Sequence, residues 1–217
     1  MKQFLAHAPQ GLLLLGSIVV AVPAHALAYQ FAADTSAFAG SPSQLAFDFI
    51  DGDAASNSVR LYGFSTDGVL GGDASFGDVS GQLPGQATLS DSDFFNEYLL
   101  DVTLGQSLSF LFETTANTPT AGSFFDAFSF FLLDPGTLLP LFPTSDATGA
   151  NALFMLDIDG SQSGDLSVHR SDGQGVTWSV TPAGPVPVPE PGTLWLLAAG
   201  AGAVCFKRRR AGARAHA

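Results

Sequence analysis

Residues 27–184 are predicted to fold as one all-β domain, a β-sandwich of jelly-roll type. Nine short apolar segments follow one another, separated by clusters of Gly, Ser, Asn, Asp and Pro. Many short strands with frequent turns are typical of a sandwich or a barrel. In Ser107–Glu113, the apolar residues Leu108, Phe110 and Phe112 occupy alternate positions. That period of two residues is expected of a strand with one buried face.

The other predicted elements connect these strands. A short helix is predicted over Ser90–Tyr98, because Ser90 or Ser92 would cap its N-terminus and acidic residues would favour its first half. The Gly-rich stretch Asp67–Gly85 is predicted to be a long loop. The predicted strands are Leu45–Ile50, Val59–Phe64, Gln86–Leu89, Tyr98–Leu104, Ser107–Glu113, Ala127–Leu133, Ala152–Ile158, Asp165–His169 and Val176–Thr181.

Phenylalanine is expected to supply most of the cohesion of this domain. Of the 19 phenylalanines, 17 lie between Phe31 and Phe154. A fully buried ring contributes on the order of 1.5–3 kcal/mol to folding. The only cysteine, Cys205, lies in a C-terminal apolar segment, so no disulfide stabilises the domain.

The charge and the motif content exclude several classes of function. All 20 acidic residues lie between Asp34 and Glu190, where Arg60 and Arg170 are the only basic residues. We therefore expect no binding to nucleic acid, whose phosphates would be repelled. The sequence has no His or Cys cluster for zinc and no phosphate-binding loop, and His169 lacks the context of a serine hydrolase. The domain is expected not to be an enzyme and to need no cofactor, with calcium as the one candidate metal ion.

Short carboxylate pairs in predicted turns are the candidate calcium ligands. They are Asp51 with Asp53 and Asp157 with Asp159, and a third pair lies in Asp91–Asp93. Calcium binds six to eight oxygens at about 2.4 Å, and alternating aspartates in a loop can supply several of them. The same residues are typical of turns, where an aspartate accepts hydrogen bonds from its own backbone, and that ordinary role is the alternative to a calcium site.

Residues 1–26 have the features of a secretory signal peptide, with a signal helix at the N-terminus. Lys2 gives a positive start, and Gly11–Val22 forms an apolar core. Ala24–Ala26 forms a small-x-small cleavage site, and Ala26–Ala28 offers an alternative one. The segment is therefore expected to direct export and to be removed.

The C-terminus contains a second targeting element. Residues 185–193 form a Pro-rich linker, which favours an extended chain, and 194–206 form an apolar segment of 13 residues. A helix of that length covers roughly 20 Å, so it is a short and marginal transmembrane helix. A basic tail, 207–217, follows. Its four consecutive cations should stay in the cytoplasm, which leaves the domain outside. These cations are Lys207, Arg208, Arg209 and Arg210.

A motif in the linker, followed by the apolar segment and the basic cluster, resembles the PEP-CTERM sorting signal of bacterial exported proteins. The motif residues are Val188, Pro189, Glu190 and Pro191. The resemblance implies export across the inner membrane by the secretion machinery and a transient membrane anchor. It also implies recognition by an exosortase, a membrane cysteine transpeptidase that removes the tail. Delivery to the cell surface or to an exopolysaccharide matrix would follow.

The exported domain also looks like a PEP-CTERM family without an assigned activity, through Phe47–Asp53, Gly77–Gly85 and Phe128–Asp134. We therefore expect a non-catalytic surface or matrix protein with a structural or adhesive role, associated with exopolysaccharide or biofilm. The alternative is a carbohydrate- or calcium-binding module, and a secreted hydrolase is the third hypothesis. Rings that could stack on sugars are Tyr29, Tyr62, Tyr98 and Trp178.

Overall fold

A computed structural model of the chain describes residues 26–52, 56–117, 119, 121–161, 164–173 and 175–183. The predicted signal helix, the Pro-rich linker, the transmembrane segment and the basic tail lie outside these residues, as does Asp53. Within the described ranges, no helix has the length and apolar character that crossing a bilayer requires.

Twelve strands and one short 3-10 turn, Ser36–Phe38, form the described part of the chain. The strands are β1 Ala26–Asp34, β2 Pro42–Ile50, β3 Ser58–Thr66, β4 Val69–Phe76, β5 Val79–Gln82, β6 Gln86–Ser90, β7 Phe95–Thr103, β8 Ser107–Thr115, β9 Asp126–Leu133, β10 Phe154–Ile158, β11 Asp165–Val168 and β12 Thr177–Pro182. All nine predicted strands are present, with shifted bounds.

The strands form two six-stranded antiparallel sheets, and the predicted β-sandwich is confirmed. The first sheet has the order β12-β1-β8-β3-β6-β5, and the second has the order β11-β10-β9-β2-β7-β4. The pairs β1·β8, β2·β7 and β3·β6 are nested in sequence and alternate between the sheets. That wrapping is the jelly-roll pattern.

The core between the sheets is built mainly from phenylalanine, as expected. Phe31 on β1 stacks on Phe110 on β8 at 4.8 Å between ring centroids, and Phe47 on β2 stacks on Phe130 on β9, also at 4.8 Å. Phe47 also meets Phe110 edge to face at 5.1 Å, across the two sheets. All four rings are fully buried. Each such pair contributes about 0.5–1.5 kcal/mol beyond the burial of its area.

The helix predicted over Ser90–Tyr98 is wrong. β6 ends at Ser90, a turn follows, and β7 begins at Phe95 and pairs with β2 along nine residues. Burial along β7 alternates strictly, with Asn96 and Tyr98 on the buried face. The capping signals that predicted a helix are local, and the long-range pairing of β7 outweighs them.

The long loop predicted over Asp67–Gly85 is also wrong, because this stretch contains β4 and β5. β4 lies at the edge of the second sheet and is mostly exposed, so it lacks an alternating apolar pattern. Its pairing with β7 shifts register between Leu70 and Asp73, at two glycines. Glycine at such a bulge weakens the strand signal in the sequence. β1 also lies outside the nine predicted strands.

Because the strands alternate in direction, all connections lie at two ends of the sandwich. We name the end with the β2–β3, β4–β5, β6–β7, β8–β9 and β10–β11 loops the proximal end, and the opposite end the distal end. The described chain starts at the proximal end, where Ala26 pairs with Thr115. It also leaves there, since the Ala183 N–H donates to the Ala28 carbonyl at 2.8 Å.

Candidate functional site

Three carboxylates from three different loops meet at the proximal end. Asp51 follows β2, Asp91 follows β6, and Asp126 is the first residue of β9. One oxygen from each lies within 4.8 Å of the others. Two oxygens that bind one calcium ion at about 2.4 Å can be at most about 4.8 Å apart. The spacing therefore allows one shared cation, and we call these residues the carboxylate cluster.

Asn57, which is buried, holds two of these carboxylates in place. Its backbone N–H donates to Asp91 Oδ2, and its side-chain Nδ2 donates to Asp126 Oδ2 at 2.7 Å. Its Oδ1 accepts from the Thr115 hydroxyl at 2.8 Å and from the Asn117 N–H at 3.0 Å. Through its backbone and its side chain, this one residue connects the β2–β3, β6–β7 and β8–β9 loops.

Gly52 brings the backbone of two loops into contact beside the cluster. Its N–H donates to Asp126 Oδ1 at 2.8 Å. A Cβ at this position would lie 2.2 Å from the Phe125 carbonyl oxygen, so only glycine fits without movement of the β8–β9 loop. The preceding Asp51 N–H donates to the Phe94 carbonyl at 3.0 Å.

The cluster carries negative charge with no basic side chain of the domain beside it. Arg60 is paired with Glu113 at 2.6 Å on the first sheet, and Arg170 lies in the distal β11–β12 loop. Three carboxylates close together repel one another unless a proton or a cation is shared among them. Hard carboxylate oxygens at this spacing are the ligand type that calcium prefers.

Beyond the last strand, the sequence matches a known targeting element. Residues 187–210 match the PEP-CTERM protein-sorting motif. The chain carries a PEP-CTERM sorting signal. The signal implies export, a transient membrane anchor and processing by an exosortase, and these parts of the sequence interpretation are confirmed. No curated protein and no solved structure matches the chain.

The PEP-CTERM signal follows the sandwich closely, and the signal is therefore connected to the proximal end. The match begins at residue 187, and β12 ends at Pro182. Since Ala183 is hydrogen-bonded to the start of β1, the chain leaves the fold at the same end of the sandwich as the loops that carry the carboxylate cluster.

Large aromatic side chains are exposed at the same end of the described domain. The exposed fraction is 84% for Phe124, 73% for Phe94, 63% for Phe76 and 47% for Phe125. Phe94 directly precedes β7, and Phe124 and Phe125 directly precede β9, on either side of the end of β2. At the distal end, the described large apolar residues that are exposed are aliphatic, among them Leu139.

The structure separates the predicted calcium ligands. Asp51 belongs to the carboxylate cluster, and Asp53 is not described. Asp157 lies opposite Asp165 in the β10–β11 pair, where burial, and then Asp165 and Asp159, raise its pKa. Asp159 accepts from the Ser161 N–H at 2.8 Å, which is the role of a turn-forming aspartate.

Sequence reasoning missed Asp126 as a member of the site. Asp126 lies far from Asp51 and Asp91 in sequence, and the nested pairing of β2 with β7 and β9 brings the three together. A local spacing rule could not have found this combination.

The candidate sugar-binding rings are mostly part of the core. Tyr29 and Tyr98 are buried. Tyr62 is half-buried with the Arg60 guanidinium 4.6 Å from its ring centre, and Trp178 is half-buried and donates to the Leu153 carbonyl at 2.9 Å. The aromatic surface of the described domain is therefore formed by phenylalanines at the proximal end.

Two other groups of titratable residues lie outside the cluster. His169 Nε2 lies 4.0 Å from Asp146 Oδ1 at the distal end and has no hydrogen-bond partner within the described part of the chain. Asp48 and Glu97 are direct cross-strand neighbours on β2 and β7, facing away from the core. Burial, and then Glu97, raise the pKa of Asp48 to about 7, and burial also raises the pKa of Glu97.

Proposed function

We propose that the sandwich is a non-catalytic module that is delivered to the cell surface or the extracellular matrix, where it has a structural or adhesive role among exopolysaccharides. The observation that supports this proposal is the position of the PEP-CTERM signal directly after the last strand. The described domain is thus the cargo of the signal. The signal itself implies export and exosortase processing, and the final location and role are the proposed part.

A non-catalytic role is supported by the surroundings of the only histidine in the domain. Among the described residues, His169 Nε2 has no hydrogen-bond partner, so no described serine hydroxyl is paired with it through that atom. The oxygens of the neighbouring Asp146 accept from Thr148 and Ala152 and hold their own loop. A nucleophile, a base and an orienting acid are therefore not aligned at His169.

Fractionation of cells with and without their exosortase tests the delivery. With the enzyme, we expect the domain at the surface or in the matrix, with a mass that corresponds to loss of the residues beyond the PEP motif. Without it, we expect the domain to stay in the membrane with its tail. The same processed domain free in the medium and absent from surface and matrix would contradict the proposal.

Calcium binding at the proximal end is the second proposed function. The observation that favours it is the convergence of Asp51, Asp91 and Asp126 with oxygens within 4.8 Å. Asn57 and Gly52 preorganise two of these carboxylates through hydrogen bonds. A preorganised set of oxygens loses less entropy when it binds an ion.

Calorimetry with calcium tests this second function. We expect one binding event for the unchanged chain and a loss of at least tenfold in affinity for Asp51→Asn and for Asp91→Asn, since each removes one charged ligand. Asp172→Asn, at an exposed distal position, is the matched control and should bind as the unchanged chain does. No heat of binding, or equal affinity in all variants, would reject the site.

A further inference from the structure

The proximal end of the sandwich is tied to the membrane by the chain itself. The described domain begins at Ala26, shortly after the apolar segment Gly11–Val22, and it ends at Ala183, shortly before the apolar segment Leu194–Phe206. Both termini of the fold are at the proximal end, because Ala26 pairs with Thr115 and Ala183 bonds to Ala28. Any membrane anchor at either terminus therefore holds this end towards the bilayer.

The length of chain available limits the distance from the bilayer. From Ala183 to Leu194 the chain can extend to at most about 40 Å, at about 3.3–3.6 Å per residue. From Val22 to Ala26 it can extend to only about 14 Å by the same measure. A nine-residue strand is itself about 30 Å long. The proximal end thus reaches the headgroups easily, whereas the distal end would do so only with the linker almost fully extended along the domain.

The side chains at this end suit a lipid interface. Phe94, Phe124 and Phe125 are exposed at the start of β7 and β9, around the end of β2. Exposed aromatic rings at neighbouring loop tips are unfavourable in water, and each gains free energy on entering an apolar layer. Asn57 and Gly52 fix these loops to one another, so the rings are held as one surface.

We propose that the proximal end docks on the lipid surface of the membrane while the chain is anchored, with Phe94, Phe124 and Phe125 entering the interfacial layer. The geometry of the two termini and the exposed rings support docking on uncharged lipid without any ion. On anionic lipid, the carboxylate cluster opposes approach unless a cation neutralises it. That dependence on calcium rests on the second proposed function.

The experiment uses the full chain, reconstituted through its tail in vesicles of phosphatidylcholine with and without phosphatidylglycerol. A tryptophan is placed at the proximal end by Phe124→Trp and, as matched control, at the distal end by Leu139→Trp, which is also exposed. Lipids brominated near the headgroup quench a tryptophan that enters the interface. The native Trp178 and Trp195 are common to all variants and are subtracted as background.

We expect quenching at position 124 and none above background at position 139. Phe94→Ser combined with Phe125→Ser should reduce the quenching at position 124 by at least half, with unchanged circular dichroism. Equal quenching at both ends, or none at position 124, overturns the proposal. A shift of the position-124 fluorescence that depends on protein concentration and not on brominated lipid would assign the surface to a second copy of the chain and overturn it as well.

Measurements with and without calcium distinguish the docking proposal from the calcium-binding proposal. On vesicles with phosphatidylglycerol, a chelator should abolish the quenching at position 124, whereas on phosphatidylcholine alone it should have no effect. Calcium binding by calorimetry without quenching on either lipid rejects docking and leaves the calcium site standing. Quenching on phosphatidylcholine without calcium binding rejects the calcium site and supports docking.

Discussion

The two ends of the sandwich use aspartate in different ways. At the distal end, three aspartates act singly, and each of the three accepts a backbone N–H from its own or an adjacent loop. These hydrogen bonds lower the pKa of each carboxyl. At the proximal end, three aspartates from different loops converge on one point. In the three distal examples, the backbone N–H of Ser36 donates to Asp34, that of Ser107 to Asp67 and that of Thr137 to Asp134.

The difference shows that an acidic loop is not by itself a binding site. Asp34 and Asp134 accept from residues two or three positions further along the chain, and these local hydrogen bonds stabilise the charge of each carboxyl. The proximal aspartates depend on loops that are distant in sequence, and their spacing leaves room for a cation. Asp159 shows that the distinction follows the partners and not the location, because it lies at the proximal end and still forms a local turn.

Replacing the residue that holds the proximal loops should have the largest effect. Asn57→Ala removes the donor to the buried Asp126 and should lower the free energy of unfolding by about 3 kcal/mol, because a buried carboxylate loses a partner. Asp134→Asn is the distal counterpart, and it should lower the free energy of unfolding much less than Asn57→Ala does. Urea titration of both variants in detergent measures these values. An equal loss of stability in both variants would contradict the proposed difference between the two ends.

The pH dependence of stability should come from the pair on the sheet face. The pKa of Asp48 is raised to about 7, so the folded state holds a proton that the unfolded chain, with an ordinary pKa of about 4, has released. The contribution of Asp48 to the free energy of unfolding is therefore complete below about pH 4, and it is lost as the pH rises through about 7. The distal carboxyls, with lowered pKa, contribute stability that is already complete above about pH 5.

Between about pH 5 and pH 8, we therefore expect the free energy of unfolding to fall by about 2 kcal/mol. Asp48→Asn cannot ionise and should remove most of this fall. Urea titrations at the two pH values measure it, with Asp172→Asn as the control that follows the unchanged chain. A variant at Asp48 that retains the full pH dependence would show that another group titrates.

The close contact of two proximal loops gives a smaller effect. In Gly52→Ala the new Cβ meets the Phe125 carbonyl, and the β8–β9 loop must move, at a cost of about 1–2 kcal/mol. Gly72→Ala, where nothing lies within 4 Å of the added carbon, should change stability by less than about 0.5 kcal/mol. Thermal unfolding compares the two. An unperturbed Gly52→Ala would mean that the loops are not held together at this point.

The smallest effect on stability is expected at the exposed rings. Phe124→Ser and, at the distal end, Leu139→Ser should each change the free energy of unfolding by less than about 0.5 kcal/mol, because both side chains are mostly exposed. Chemical unfolding of both variants checks that the two changes in the free energy of unfolding are equally small. A large loss in Phe124→Ser alone would indicate that the ring supports the fold and is not a free surface.

The sequence predicted the strands well where one face is buried. β8 and β9 have regular apolar positions, and their predicted ranges agree with the structure to within two residues. β4 was missed because an exposed edge strand with Gly71 and Gly72 has no such period. The false helix over Ser90–Tyr98 arose because serine and aspartate cap helices and also form turns.

Only part of the candidate site could be predicted from the sequence. Asp51 and Asp91 stood out because each has an aspartate two positions away, and that spacing suggested partners along the chain. Asp126 had no such signal, since its partners arrive through the pairing of β2 with β7 and β9. The order of strands in a sheet depends on the whole chain, and local patterns do not encode it.

β1, the first strand of the described domain, has partners only among later strands: it lies between β8 and β12. During secretion, its neighbours therefore emerge long after it does, and the last of them is made just before the sorting signal. The first sheet becomes complete only when nearly the whole polypeptide has passed through the translocation channel. Folding of this cargo and arrival of its sorting signal at the membrane are thus coupled in time.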